Sequence, residues 1–193
     1  MQTKRLLWLG VPVLVVAALL PMSVSAGGAK HVRWDIIHLV GGAPPGPVTA
    51  GGVASASAPD GDTITLTGSG HFVAPASGGG SSAAAGGGTW TTTSGGSGTY
   101  RVTRLVSWQF ANFQTNVGFI DNIGGGRRAN GTSVLKIAFS DGSTGVLTVG
   151  CHGPGAPPGI FEGIATTKGY KTYYTVPTPV PGVDAGRTLF HVR

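Results

Sequence analysis

The sequence predicts an all-β protein built as a single antiparallel β-barrel, with a β-sandwich as the alternative. Beyond residue 26, apolar and polar residues alternate with a period of two, which is typical of half-buried strands. Turns rich in glycine and proline separate these segments, and glycine supplies 35 of the 193 residues. No segment there sustains a period of 3.6 residues, so we expect little helix. The barrel is favoured because few edge charges are present to protect an open sandwich.

The first 26 residues are predicted to form a signal helix that is removed on export. Lys4 and Arg5 give a basic start, residues 6–20 are apolar, and small residues end at Ala26. The apolar run is 15 residues long, whereas a membrane-spanning helix needs ~20. Cleavage is therefore favoured over a retained anchor. We expect a secreted domain, residues 27–193, without a stable membrane span.

Charge and cysteine content limit the classes of partner. Removing Lys4 and Arg5 lowers the net charge from +6 to +4, and the remaining basic residues are scattered. This pattern gives no nucleic-acid-binding stripe. Cys151 is the only cysteine, so no internal disulfide can form. We expect no cofactor, and the sequence does not indicate an oligomeric state.

The N-terminal half of the domain is predicted to hold a strand, a hairpin and a flexible loop. Residues 31–40 alternate strictly, and His38 shares the parity of Val32 and Trp34, which favours an inward side chain. A hairpin is predicted over 53–73, because Asp-Gly stands between two β-favouring runs. Residues 77–88 are almost entirely Gly, Ser and Ala, which predicts a flexible loop.

The C-terminal half is predicted to continue the strand pattern around one long loop. Residues 111–131 lack alternation and are interpreted as a loop that could carry function. A second Asp-Gly turn predicts a hairpin over 133–151. Tyr173 and Tyr174 are neighbours on a strand, so one ring should be exposed. The other predicted strands are 89–93, 99–110, 160–167, 170–176 and 187–193.

A short motif, Gly-x-Gly-x-aromatic, recurs at residues 68–72, 86–90 and 96–100. Glycines at such sites let a strand bend or let a ring lie across a neighbouring backbone. No helix is predicted after any copy, so the motif does not indicate a phosphate-binding loop. We interpret it as structural.

Residues 96–104 resemble a strand motif of dirigent proteins and allene oxide cyclases, Gly-Thr-Gly-x-Phe-x-x-Ala-x-Gly. The resemblance implies an eight-stranded antiparallel barrel and covers about a dozen residues. Thr103 replaces the alanine of that motif and Leu105 replaces its last glycine. No activity or catalytic residue carries over.

Three further stretches resemble a family of secreted bacterial proteins whose function is not assigned. They are residues 31–38, 161–169 and 187–193. The resemblance implies export and a single domain, and it implies no chemistry.

Four residues are candidates for a catalytic site: His38, Cys151, His152 and Glu162. A thiolate beside an imidazole could act as a nucleophile or a metal ligand pair. Adjacent strand residues point to opposite faces, however, so a buried cysteine beside a surface histidine is favoured. Glu162 is the only glutamate and could serve as a general acid or base with Asp35, or it could pair with a basic side chain.

No metal site is expected from the five histidines, because their spacing matches no ligand pattern. His38 is the most interesting of them if it points inward. Asn130-Gly131-Thr132 fits the N-glycosylation pattern.

Three functions remain open from the sequence. The leading hypothesis is a secreted, non-enzymatic barrel that binds a small apolar ligand or a cell-surface partner. The alternative is a secreted enzyme or metal-binding protein that uses His38, Cys151, His152 or Glu162. A structural protein of the cell envelope is the third.

Overall fold

The computed structural model describes residues 28–40, 46–76, 78–115, 118, 120–178, 180 and 186–193. Within these ranges the chain forms strands, turns and irregular segments but no helix. The all-β prediction is therefore confirmed. The predicted signal peptide, residues 1–26, lies outside the described residues, and its cleavage stays a prediction.

Thirteen strands form in the described part of the chain. They are β1 (Lys30–Leu39), β2 (Pro47–Ala50), β3 (Ala54–Ser57), β4 (Thr63–Leu66), β5 (Ser69–Ala74), β6 (Ala84–Thr92), β7 (Ser97–Phe113), β8 (Ile120–Asp121), β9 (Arg127–Phe139), β10 (Thr144–Cys151), β11 (Gly163–Lys168), β12 (Lys171–Tyr173) and β13 (Thr188–Val192).

Six of these strands close into an antiparallel barrel in the order β9, β13, β1, β5, β6 and β7. The ring closes because the 17-residue β7 pairs with β6 on one side and with β9 on the other. Each strand of the ring thus has hydrogen-bonded neighbours on both sides, which removes the free edges. The barrel prediction is confirmed, and the sandwich alternative is wrong. The closed ring has six strands, however, and not the eight that the resemblance to dirigent proteins implied.

The remaining strands extend the sheet outside this ring. β10, β11 and β12 continue from β9, while β4 and β3 continue from β6. Backbone hydrogen bonds between Ser57 and Thr175 join these two extensions. The short strands β2 and β8 pair in parallel, and β2 also pairs with the end of β1.

Aromatic side chains fill the barrel interior. The Trp108 ring lies 5.6 Å from the Phe72 ring and 4.5 Å from the Phe190 ring, measured between centroids. Trp34 is fully buried beside Gly70, where a Cβ would lie 2.7 Å from the indole nitrogen. These contacts confirm the structural interpretation of the glycine motif, because a larger residue at Gly70 would displace the ring.

Both predicted Asp-Gly hairpins form. The first joins β3 to β4, and the second joins β9 to β10. The first is shorter than the predicted 53–73, because its second arm ends at Leu66 and residues 69–74 form β5, which pairs with β1 and β6. The N–H of Gly142 donates to the carbonyl of Phe139 at 3.1 Å and closes the second turn. Tyr173 is buried and Tyr174 is 58% exposed, as their adjacency predicted.

The predicted inward orientation of His38 is wrong. His38 is exposed, whereas Ile37 and Leu39 on the opposite parity are buried. The buried parity changes where β1 leaves its pairing with β13 at Ile36 and begins to pair with β2 at Ile37. Both faces of β1 therefore carry buried apolar residues around Ile36 and Ile37, which a simple alternation does not reveal.

Both predicted loops are shorter than expected. Residues 84–88 belong to β6 and pair with β5 and β7, so the flexible-loop prediction for 77–88 is wrong over that part. The glycines there are needed for close packing: a Cβ on Gly88 would lie 2.0 Å from the carbonyl oxygen of Thr67. The long loop predicted over 111–131 is also too long, because β7 runs to Phe113 and β9 begins at Arg127.

Candidate ligand-binding cleft

A cleft of about 390 Å³ opens on the outside of the barrel, where β1 ends and β13 begins. Its walls come from β1, β2, β8, β13, the end of β10 and the loop from His152 to Glu162. None of the aromatic side chains that fill the barrel lines it. The lining residues are Ile37, Leu39, Val48, Gln114, Asp121, Arg128, Cys151, His152, Gly153, Pro154, Gly155, Ala156, Glu162, Arg187, Thr188 and Leu189.

The floor of the cleft is aliphatic. Ile37, Leu39, Val48 and Leu189 are each at most 6% exposed. Leu39 and Val48 are direct partners across β1 and β2, and the N–H of Ile37 donates to the carbonyl of Arg187 at 2.9 Å. Paired strands therefore hold the floor rigidly. An apolar surface of this kind favours an apolar ligand group.

Glu162 connects the loop over the cleft to the barrel. One carboxylate oxygen accepts from the backbone N–H of His152 at 2.5 Å, and the other accepts from the N–H of Thr188 at 2.8 Å. Burial raises the pKa of Glu162 to about 7, although these two hydrogen bonds and the charge of Arg187 act in the opposite direction. Because both oxygens are engaged by backbone, the carboxylate positions the loop.

Cys151 is buried at the edge of the cleft, and its sulfur accepts a hydrogen bond from Nε2 of Gln114 at 3.3 Å. Burial, assisted by the nearby charge of Glu162, raises the pKa of the thiol well above its usual value. The protonated thiol is a poor nucleophile. The interpretation of Cys151 as a buried, inert cysteine is favoured by this geometry.

His152 is exposed on the rim of the cleft. Its Nδ1 lies 2.7 Å from the carbonyl oxygen of Ile160. A carbonyl oxygen only accepts, so Nδ1 carries the proton and the neutral ring keeps its lone pair on Nε2. The expectation of a surface histidine beside a buried cysteine is confirmed.

The structure thus brings three of the four candidate residues to one cleft. Cys151, His152 and Glu162 line it, while His38 does not. The three do not form a relay, because Glu162 binds backbone groups and the thiol is bound by Gln114. Asp35, the suggested carboxylate partner of Glu162, is fully buried and pairs with Arg33.

Several residues of the cleft have no signal in the sequence. Gln114, Asp121 and Arg128 come from the segment interpreted as a functional loop, and that location is the only hint they offered. Leu189 was expected only as part of a strand. Leu189 comes close to Ile37 because β13 pairs with β1, and this pairing joins residues about 150 positions apart.

Metal binding and N-glycosylation are two further kinds of site that the sequence raised. Within the described ranges, no group of three or more His, Cys, Asp or Glu side chains is placed to hold a metal ion. Asn130 is fully buried: its Oδ1 accepts from the N–H of Gly153, and its Nδ2 donates to Asn112. It is therefore not accessible for glycosylation in the folded domain.

Comparison with protein-family models, curated proteins and solved structures finds no match to this chain. No helix in the part of the chain that the structure describes has the length and hydropathy to cross a membrane.

Proposed function

We propose that this protein is a secreted, non-enzymatic binding protein that takes a small, mainly apolar molecule into the cleft between β1 and β13. The observation that carries the proposal is the buried aliphatic floor beneath an open cleft of about 390 Å³. Small-molecule sites usually have this size and combine apolar walls with a few polar groups.

The polar side chains at the rim of the cleft indicate which chemical group the ligand carries beside its apolar part. Arg187 is exposed and makes no ion pair with a described residue, and Nε2 of His152 is not engaged by the Ile160 contact. Both acidic groups of the cleft already have partners within the protein: Asp121 binds His191, and Glu162 accepts hydrogen bonds from two backbone N–H groups. A ligand with an anionic or hydrogen-bonding group beside its apolar part would fit this distribution.

The alternative function, an enzyme or metal-binding protein using His38, Cys151, His152 or Glu162, has less support. His38 lies outside the cleft, the pKa of the Cys151 thiol is raised, and both oxygens of Glu162 are occupied by backbone. A general base needs a free lone pair within reach of its substrate. Two candidates meet that requirement: Nε2 of His152 carries a lone pair, and the Glu162 carboxylate retains acceptor sites beyond its two backbone hydrogen bonds.

Fluorescence titration with two probes of similar apolar shape tests the proposal. Phenylnaphthylamine is neutral, and anilinonaphthalene sulfonate carries an anionic group. We expect both to bind saturably. Ala156→Phe places a ring in the cleft and should raise both Kd values by about tenfold or more, the result of losing 1–2 kcal/mol of apolar contact. Arg187→Gln should weaken binding of the sulfonate alone.

Ala83→Phe is the matched control, because Ala83 is an exposed loop residue that does not line the cleft. It should bind both probes as the unmodified protein does. If Ala156→Phe folds normally and retains full affinity for both probes, the cleft is not the binding site and the proposal is wrong.

A further inference from the structure

A second cavity, of about 350 Å³, lies on the outer face of β1, β5 and β13. We call it the basic cavity. It shares no lining residue with the cleft, although the segment 120–126 contributes Asp121 to the cleft and Gly125 to the basic cavity. Its lining residues are His31, Val32, Arg33, Ser69, Gly70, His71, Phe72, Gly125 and Arg193.

Strand register brings four basic side chains to this face. Arg33 and His71 are direct partners across β1 and β5. His31 and Arg193 exchange backbone hydrogen bonds of 3.3 and 2.9 Å, so they too lie opposite each other. Directly opposed residues have their Cβ atoms about 4.5–5.5 Å apart, and like charges in such pairs destabilise a sheet.

Two carboxylates, Asp35 and Asp121, act on the charge of Arg33. Asp35 is fully buried and binds Arg33 through two hydrogen bonds, from Nε at 2.8 Å and from one Nη at 2.9 Å. This fork fixes the guanidinium and leaves its other Nη group unengaged. His31, His71 and Arg193 make no ion pair with any residue that the structure describes. Arg193 is oriented by a hydrogen bond from its Nε to the carbonyl of Gly125.

We propose that the basic cavity binds a small oxyanion, a phosphate or a carboxylate, between Arg33 and Arg193 with His31 and His71 beside it. Arginine recognises both anions through paired N–H donors, and hydrogen bonds to charged groups are the stronger class. The buried Asp35 is a positioning residue for Arg33.

The test is an NMR titration that follows the imidazole signals of His31 and His71. Sodium phosphate and sodium acetate are added separately at one fixed pH, and chloride holds the ionic strength constant. We expect saturable shifts with at least one anion, and the two arms show which group the cavity prefers.

Two variants locate the binding. Arg193→Gln should raise the Kd by about tenfold, as expected when a hydrogen bond to a charged group is lost. Lys136→Gln removes the same charge from an exposed position on β9 outside the basic cavity and should leave the Kd unchanged. Backbone spectra report whether each variant is folded. Shifts that do not saturate with either anion, or an unchanged Kd in folded Arg193→Gln, would overturn the proposal.

Discussion

Two carboxyl groups of this protein show how the surroundings of a single residue set its chemistry. Glu162 is held among apolar walls of the cleft, and burial raises its pKa to about 7. Asp141 is exposed at a turn, where Lys168 and Ser143 lower its pKa to about 2. The first group therefore changes charge near neutrality, while the second stays ionised except in strong acid.

Glu162 should make stability fall as the pH rises. Its folded pKa of about 7 exceeds its ordinary value of 4.5, so the folded state holds the proton more tightly. The contribution is complete below about pH 4.5 and is lost as the pH rises through about 7. Glu162→Gln cannot ionise and should flatten this part of the pH profile of the unfolding free energy, measured in denaturant.

Asp141→Asn is the control for that measurement. Since the pKa of Asp141 is lowered, this substitution should change the profile only on the acid side. A wild-type slope between pH 5 and 7 that survives unchanged in Glu162→Gln would contradict the assignment.

The Cys151 thiol should resist modification in the folded protein. It is 1% exposed and burial raises its pKa, so alkylation by iodoacetamide should be slower than in denaturant by about 100-fold or more. Mass spectrometry of quenched samples measures both rates. Equal rates would show that the thiol is accessible and would reopen the enzymatic alternative.

At the scale of elements, glycines allow β6 to lie against its neighbours. Gly88→Ala would place a Cβ 2.0 Å from the carbonyl oxygen of Thr67, a backbone atom that cannot move without breaking the sheet. We expect a loss of about 3 kcal/mol and a melting temperature lower by about 10 °C. Thr91→Ala, at an exposed position on the same strand, should cost about 0.5 kcal/mol or less. Similar melting temperatures for the two variants would contradict this role for Gly88.

Some strands and turns of this fold could be predicted from the sequence, and others could not. The hairpins at Gly61 and Gly142 were predictable because Asp-Gly turns act locally. The extension of β6 through residues 84–88 could not be predicted. Its glycines become ordered only because they pair with β5 on one side and β7 on the other. The predicted orientation of His38 was wrong because β1 changes its partner from β13 to β2 after Ile36, and the buried parity changes there.

The candidate site was only partly predictable. Cys151, His152 and Glu162 were singled out by residue type, and they do line one cleft. The aliphatic floor of the cleft was not predicted. In the sequence, Ile37, Val48 and Leu189 look like ordinary strand residues, and only the fold brings them together. Periodicity predicts which residues are buried, but it does not show where a buried surface is left open.

At the scale of the whole molecule, export should leave a domain that begins at Gly27. The basic start, the apolar run and the small residues ending at Ala26 motivate this expectation. N-terminal sequencing of protein recovered from the medium checks it. Intact Met1 in a membrane fraction would show instead that the segment is retained.

The central claim is that the cleft, and no other surface, receives an apolar ligand. Methyl-labelled protein titrated with phenylnaphthylamine and followed by NMR tests it most directly. We expect saturable shifts of the Ile37, Leu39, Val48 and Leu189 methyl groups, with Val102 and Leu135 in the core unaffected. Shifts confined to Val106, which is 43% exposed on β7, would place the ligand elsewhere and contradict this assignment of the binding site.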